Sequence, residues 1–391
     1  MKVLSLFDGM SCGMLAMMES KVLVDRYVAY EIDKYAIQTS QYNFPMIEQK
    51  GDVFTADFTQ YEGFDFLIGG SPCTYWSIAQ KNNRETEASG LGWELFSQYV
   101  RALREAKPKF FIYENNKSMA KAIRDSIRET FGFEEICINS ALVSAQNRQR
   151  YYWVGKRNED DTYSKVNILQ PEDRGILLRD VLDNAYPAGE TKSGKSFAFT
   201  ANCANYNGGA YLSHTLEKSV KTNTLSTVLK DNPICKPLRV GCMPSPDGTI
   251  KGSQGNRIYS VDAKTVNQTA NGGGAGAKTG LYAIPCKWDE NGLPIKAISG
   301  ADGKTYTVYP VKDGKITIKG KTYPIKLLDG YYVIRKLTIA ECKRLQTVPN
   351  WFEFPVSSTQ AYRQLGNGWT VSVISHLING IMSEWLSEVI M

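Results

Sequence analysis

Hydrophobic and polar positions in the first 155 residues change period repeatedly, as strands and helices in turn require. Val3–Phe7 is an apolar run that stops at Asp8-Gly9, which predicts a strand entering a turn. Met14, Leu15 and Met18 then share one face of a predicted helix. Val28–Ile32 reads as a second strand, closed by the acidic Glu31 and Asp33, and Ala36–Asn43 as a helix. Phe64–Ile68 predicts a strand ended by Gly69-Gly70. Leu95, Phe96, Tyr99, Val100 and Leu103 give an amphipathic helix over Trp93–Ala106, stopped by Pro108. Phe110–Tyr113 predicts a strand ending at Glu114, and Glu135–Val143 and Tyr151–Val154 close the series. Such alternation predicts an α/β domain, a parallel-rich sheet with helices on both faces. Ligands of such sheets bind outside the carboxyl ends of the strands. Asp8, Glu31, Cys73 and Glu114 all fall at or just past a strand end.

The texture changes from about residue 186. Turn signals multiply at Asn207-Gly208-Gly209, Asp247-Gly248, Asn271–Gly274 and Asn291-Gly292. Between Tyr306 and Ile334, short β-branched and Tyr runs alternate with Asp313-Gly314, Gly320 and Asp329-Gly330, a pattern of successive hairpins. Helical periodicity resumes at Thr338–Leu345, opened by a Thr338-x-x-Glu341 capping box, and again at Thr370–Leu386. The expected organisation is an α/β body, 1–185 and 336–391, with a β-rich domain, 186–335, inserted into it.

Composition narrows the class. No apolar run approaches the ~18 residues needed to cross a bilayer, and Val3–Phe7 is too short for a secretory signal. Eight cysteines are scattered with no CxxC pair, and His214 and His376 are the only histidines, so a zinc site is not expected. Lone cysteines without a signal peptide suit a reducing cytoplasm. The net charge is +6, but its distribution is uneven: residues 186–335 hold 20 Lys and Arg against 10 Asp and Glu, which leaves −4 for the remainder. A basic insert on a near-neutral body points to a polyanion partner, or else to a well-solvated surface.

Four constellations carry candidate chemistry. Phe7-Asp8-Gly9-Met10-Ser11-Cys12-Gly13 joins a strand to a helix, where glycines admit a ligand to the backbone and free N–H groups face it. Glu31 ends the next strand, where an acid can hold ribose hydroxyls; a nucleoside cofactor fits both facts, and so does a merely structural turn. In Gly69-Gly70-Ser71-Pro72-Cys73-Thr74-Tyr75-Trp76-Ser77 a Pro stiffens the loop before a Cys that can act as a nucleophile, although structural Cys are commoner. In Glu114-Asn115-Asn116 a carboxylate leaves an apolar strand and can serve as a proton donor or as an ordinary cap. In Gln146-Asn147-Arg148-Gln149-Arg150 alternate arginines project to one face, suited to phosphate or base oxygens or to surface ion pairs.

Taken in this order, the motifs resemble those of the DNA (cytosine-5) methyltransferases, in particular bacterial or phage members. Leu6-Phe7-Asp8-Gly9 resembles the cofactor motif, and Ser71-Pro72-Cys73 with Ser77 the Pro-Cys nucleophile motif. Glu114-Asn115-Asn116 is similar to Glu-Asn-Val, and Gln146-x-Arg148-x-Arg150 to Gln-x-Arg-x-Arg. Arg335 to Gln346 and Gln364-Leu365-Gly366-Asn367 resemble the closing motifs. Two positions depart: the cofactor loop lacks the usual Ala-Gly-x-Gly-Gly, and Asn116 stands in place of Val. The resemblance implies a Rossmann-like S-adenosylmethionine-dependent fold with 186–335 as the target-recognition domain. It implies a catalytic set of Cys73, Glu114, Arg148 and Arg150, and methyl transfer to C5 of a flipped-out cytosine in double-stranded DNA. It implies a cofactor set of Phe7, Asp8, Gly9, Glu31, Ile32, Asp52, Val53, Pro72 and Asn367, with S-adenosylhomocysteine as product and no metal. A monomeric, cytoplasmic enzyme follows, either an orphan or part of a restriction-modification pair. The competing expectations are a tRNA-methylating relative and a catalytically silent DNA-binding protein.

Overall fold

The computed structural model describes all residues except 79–83, 184–235, 246, 251, 271–278, 287–296, 300–303 and 391. The turns at Asn207–Gly209, Asn271–Gly274 and Asn291-Gly292 lie outside the described residues, as do Lys251 and the first part of the basic insert. The chain divides into two compact units. One comprises residues 1–143, 148–173 and 346–391; the other comprises 144–147 and 174–345.

The first unit is built on an eight-stranded sheet. Its strands are β1 (Lys2–Leu6), β2 (Arg26–Tyr30), β3 (Glu48–Gln49), β4 (Phe66–Gly69), β5 (Phe110–Asn116), β6 (Ile136–Asn139), β7 (Gln149–Arg157) and β8 (Tyr163–Lys165). The order is β3-β2-β1-β4-β5-β7-β6, with β8 beside β7. β1 to β5 run parallel, while β7 is antiparallel to both β5 and β6. The described helices of this unit are α1 (Cys12–Glu19), α2 (Lys34–Asn43), α3 (Gly90–Ala106), α4 (Lys121–Phe131), α6 (Ser358–Asn367) and α7 (Val371–Ile390), while α5 (Ile339–Leu345) belongs to the second unit. β1–α1–β2 and β4–α3–β5 are the crossover units that parallel pairing demands.

The central strands are apolar on both faces because helices cover both. Leu4, Leu6, Val28, Leu67 and Phe111 are fully or almost fully buried, with Phe96, Tyr99 and Leu103 of α3 packed on them. Strand order reverses at β1, which has β2 on one side and β4 on the other. Open α/β sheets bind ligands at such a reversal, at the carboxyl ends of the strands. The loops after β1 and β4 are Phe7–Ser11 and Gly70–Cys73, two of the constellations singled out from the sequence.

β5 is longer than its apolar run. Antiparallel pairing with β7 continues through Glu114↔Tyr152, Asn115↔Tyr151 and Asn116↔Arg150, so the polar triplet is part of the sheet and not a loop after it. α4 extends the alternation: Ile123, Ile127 and Phe131 bury one face, and Gly132 at φ 80° closes the helix in the left-handed conformation.

The second unit holds another eight-stranded sheet: β9 (Arg239–Cys242), β10 (Arg257–Ser260), β11 (Leu281–Pro285), β12 (Ala297–Ser299), β13 (Thr305–Lys312), β14 (Lys315–Ile318), β15 (Lys321–Pro324) and β16 (Gly330–Arg335). The order is β15-β14-β13-β16-β11-β10-β9, antiparallel except for β10 with β11. Val311, Ile316, Ile318, Tyr323 and Ile325 alternate inward onto Val240, Ile258 and Leu281, while Lys312, Lys315, Lys319, Lys321 and Lys326 are exposed. The capping box forms as the sequence predicts: Thr338 N–H donates to Glu341 Oε2 at 2.7 Å and Glu341 N–H to Thr338 Oγ1 at 3.2 Å. Glu341 also receives both Nη atoms of Arg335 at 2.7 and 2.8 Å, a fork-to-fork pair inside the unit.

Candidate active site

The loop after β1 is wound tightly. Phe7, Gly9 and Ser11 all have positive φ (58°, 60° and 63°), and Phe7 takes this conformation without the freedom of glycine. Three contacts hold it. Asp8 N–H donates to the Tyr30 carbonyl at 3.2 Å, Ser11 N–H to the Asp8 carbonyl at 3.1 Å, and Gly9 N–H to Glu31 Oε2 at 2.8 Å. The two residues suspected of forming one cofactor site, Gly9 and Glu31, are thus in direct contact.

The two acids of this site face different ways. Asp8 is buried; Ser5 and Tyr27 donate to its Oδ1 at 2.6 and 2.8 Å, and Ser11 to its Oδ2 at 2.5 Å. Burial pushes its carboxyl up to about 6, against the opposing pull of those hydroxyls. The Asp8 side chain therefore shapes the loop from within. Glu31 is half-buried, and its Oε1 accepts the N–H groups of Ile32 and Asp33, both at 2.8 Å. Three N–H donors on one carboxylate leave part of its acceptor capacity for hydroxyls of a ligand. Beyond β3, Asp52 is exposed and caps the turn Val53–Thr55 through Phe54 N–H at 3.0 Å. Val53 beneath it is buried. Ile32 is 74% exposed beside Glu31, and Phe7 is half-buried. Acceptors on exposed edges beside uncovered apolar side chains at the ends of β1, β2 and β3 fit an adenosine-containing cofactor. Asn367, at the end of α6, is exposed.

The loop after β4 is anchored from below. Asn115, fully buried, donates Nδ2–H to the Ser71 carbonyl at 3.2 Å, and Ser71 Oγ lies 2.7 Å from Tyr113 OH. The Cys73 carbonyl accepts the N–H groups of Trp76 and Ser77 at 3.2 and 3.0 Å, a turn that leaves Pro72 exposed and Cys73 half-buried. Asn116, at the position that departs from the family pattern, also donates to the Cys73 carbonyl at 3.5 Å. Of the described cysteines only Cys73 and Cys137 are partly accessible; Cys12, Cys242, Cys286 and Cys342 are buried. Burial pushes the thiols of Cys286 and Cys12 up to about 11 and about 12, disfavouring their thiolates.

Glu114 meets Arg150 through Oε1 and Nε at 3.0 Å, with both side chains nearly buried. The register Asn116↔Arg150 brings this about, since residues two apart on neighbouring strands share a face. Glu114 Oε2 accepts the indole N–H of Trp369 at 2.9 Å. Gly70 closes against the same carboxylate: a Cβ there would lie 2.9 Å from Glu114 Oε2. The Cys73 loop and the carboxylate are therefore neighbours. Arg148 is 3% exposed and donates to the carbonyls of Gly366 and Gly368 at 3.2 and 2.9 Å. Burial, and then the charge of Arg150, push its guanidinium down to about 10, so it stays protonated at neutral pH. Arg150 is thus the arginine on the carboxylate, while Arg148 ties β7 to the turn after α6. Trp369 is absent from the motif reading; it lies two residues beyond Asn367, and nothing in the helical pattern around it marks a contact with β5.

The sequence pattern that defines the C-5 cytosine-specific DNA methylases matches residues 1–383. The chain is 26% identical to the orphan methyltransferase M.SPRI of Bacillus phage SPR over 99% of each chain. It is 25% identical to the type II methyltransferase M.HhaI of Haemophilus parahaemolyticus, over 90% of this chain and 86% of that one. In fold it is similar to the S. pombe Dnmt2 methyltransferase, with TM-score 0.55 and 13% identity over 98% of this chain and 99% of that one. The Entamoeba histolytica methyltransferase EhMeth gives TM-score 0.55 and 14% identity over 98% of each chain. The order of motifs, the reversal of the sheet at β1 and the match over nearly the whole length agree, and the chain belongs to the C-5 cytosine-specific DNA methylase family, a family of enzymes that transfer a methyl group to cytosine C5.

Proposed function

We propose that this protein methylates C5 of a cytosine flipped out of duplex DNA, with S-adenosylmethionine as donor and through a covalent bond between Cys73 and C6. The observation that carries this reading is the shared edge of the sheet, where the half-buried Cys73 turn, Gly70 and the Glu114–Arg150 pair are held side by side. A stacked base cannot reach a thiol in such a recess, so the base must leave the helix.

C5 of cytosine is a poor nucleophile. Addition of the Cys73 thiolate to C6 turns the ring into an enamine-like species that is nucleophilic at C5. Glu114 holds N3 and the exocyclic amine and supplies a proton at N3 as negative charge develops there. Arg150 binds O2 of the base, and Arg148 supports it from β7. S-adenosylmethionine, when bound, supplies an electrophilic methyl carbon. Glu31 holds the ribose hydroxyls of that cofactor, Asp52 its adenine amine, and Phe7 stacks against the adenosine. Pro72, Gly9, Ile32, Val53 and Asn367 line the same cleft, with Asp8 behind the loop. C5 takes the methyl group, with S-adenosylhomocysteine as the other product; the C5 proton leaves to water, its electron pair forms the C5–C6 double bond and expels the Cys73 thiolate, and N3 returns its proton to Glu114. Residues 186–335 act as the target-recognition domain; the exposed lysines of β13 to β15 and the exposed Arg239 supply positive charge for the phosphate backbone.

Bisulfite sequencing of DNA from cells expressing the protein tests this reading. Cytosines protected within one sequence context are expected, and protection should vanish in Cys73→Ser. An unprotected genome, or methyl transfer to tRNA but not to duplex DNA by the purified enzyme, would sink it.

A further inference from the structure

We infer that Trp369 is a positioning residue for the reaction: its indole N–H, together with Arg150, fixes the orientation of the Glu114 carboxylate. The inference rests on the reading of Glu114 given above and adds to it a residue outside the motifs.

The geometry is specific. Arg150 Nε takes Oε1 of Glu114 at 3.0 Å, and Trp369 Nε1 takes Oε2 at 2.9 Å. A carboxylate offers about four lone-pair sites, so an ion pair on one oxygen and a hydrogen bond on the other orient the group and leave acceptor capacity on each oxygen for a base. An indole N–H only donates, so the contact cannot invert.

Trp369 is itself held from both sides. Gly368 before it packs so tightly that a Cβ would lie 3.1 Å from the Gln364 carbonyl, 3.2 Å from Cys12 Sγ and 3.3 Å from Met10 Cε. The Gly366 and Gly368 carbonyls receive Arg148. Thr370 after it lies 2.8 Å from both Gln346 Oε1 and Ser140 Oγ. Cys12 Sγ in turn accepts the backbone N–H of Trp369. One turn therefore touches the cofactor loop with its backbone and the reacting carboxylate with its side chain. An indole kept in place only by packing needs no acceptor opposite its nitrogen; this one has a nearly buried carboxylate oxygen.

The test compares Trp369→Phe, which keeps an apolar ring without the donor, with Trp369→His, which keeps a donor on a smaller ring. The readout is the rate at which Cys73 is trapped by 5-fluorocytosine in a duplex carrying the methylated site, at saturating S-adenosylmethionine. Loss of one hydrogen bond to a charged group corresponds to roughly a 10- to 100-fold slower rate for Trp369→Phe. Cofactor affinity and KM for DNA should hold, and Trp369→His should recover part of the rate. Packing alone would rank Phe above His; that order, or a wild-type rate in Trp369→Phe, overturns the inference. A wild-type enzyme that forms no adduct overturns the reading of the site as well. In the wild-type fold, 15N-indole spectra give a second measurement. Glu114→Gln should move one of the seven Trp N–H resonances, the one missing from Trp369→Phe. An unmoved resonance overturns the assignment.

Discussion

Gly70 offers the sharpest perturbation of the proposed catalytic edge, because its requirement is for space. Its backbone lies outside the left-handed region, so alanine can adopt the conformation. A Cβ at this position would nevertheless sit 2.7 Å from the Glu114 carbonyl oxygen and 2.9 Å from Oε2. Ordinary contact begins at 3.4 Å, so the carboxylate or its strand must retreat by about 0.5–0.7 Å. The carbonyl belongs to β5 in mid-sheet and cannot move freely, which leaves the carboxylate to turn away from Arg150 and Trp369. A misplacement of about 1 Å costs on the order of 100-fold in rate, so half that shift or slightly more predicts a kcat lower by roughly 10- to 30-fold in Gly70→Ala. Overpacking should cost about 1–3 kcal/mol of stability as well. Gly69→Ala is the control. Its Cβ would meet the Leu6 carbonyl at 2.6 Å and the Tyr99 ring at 3.1 Å, a comparable clash that does not involve Glu114. Methyl transfer measured well below both melting temperatures, with cofactor affinity titrated in parallel, separates the two effects. Wild-type kcat in Gly70→Ala, or an equal loss in both variants, would refute the argument.

Three further outcomes follow from the same geometry. Glu31→Ala should weaken S-adenosylmethionine binding by roughly 10- to 100-fold, the worth of hydrogen bonds to a charged group, as measured by titration; unchanged affinity counts against the cleft at β1 and β2. Mild alkylation of the native protein should label Cys73 ahead of Cys12, Cys286 and Cys342, whose thiolates burial disfavours, and mass spectrometry would expose the reverse order. Asp8 titrates at about 6 in the fold, above its unfolded value of 3.8, so the native state binds more protons between those values. Its contribution to stability is complete below pH 3.8 and lost as pH rises through about 6, a change of about 3 kcal/mol. Asp8→Asn should flatten urea-unfolding stability across that window, and an unaltered slope would show that another group carries it.

Much of the first sheet was legible because its signal is local. Val3–Phe7, Val28–Ile32 and Phe64–Ile68 are short apolar runs that end at turns, and β1, β2 and β4 lie within a residue or two of them. The end of β5 was not legible, since Glu114-Asn115-Asn116 stays in the sheet only through its pairing with Tyr152, Tyr151 and Arg150, some 35 residues away in sequence. The alternation read from the pattern omits α4, although Ile123, Ile127 and Phe131 recur at helical spacing. It also omits β3, which at two residues is too short to leave a pattern. Motif residues point to which side chains gather at the candidate site, yet not to how each is held there. Arg148 and Arg150 look equivalent in Gln146-x-Arg148-x-Arg150, but one ties down the turn after α6 and the other meets Glu114.

The three acids at the strand ends show why residue type alone cannot assign a role. Asp8 and Glu31 follow strands of the same sheet, Glu114 lies two residues before the end of another, and each could be a ligand-binding acid by position. The donors around them separate their tasks. Asp8 is surrounded by three hydroxyls and shapes a loop that contains three left-handed residues. Glu31 is gripped by backbone N–H groups alone, which hold its charge at the exposed edge of β2. Glu114 is clasped by one cation and one indole, and glycine at position 70 keeps the space beside it open. Hydroxyls can rotate and exchange donor for acceptor, whereas a guanidinium and an indole cannot. What sets Glu114 apart from Glu31 is that its partners are side chains from two other elements, β7 and the turn after α6, so its orientation, which the proposed chemistry requires, depends on both being in place.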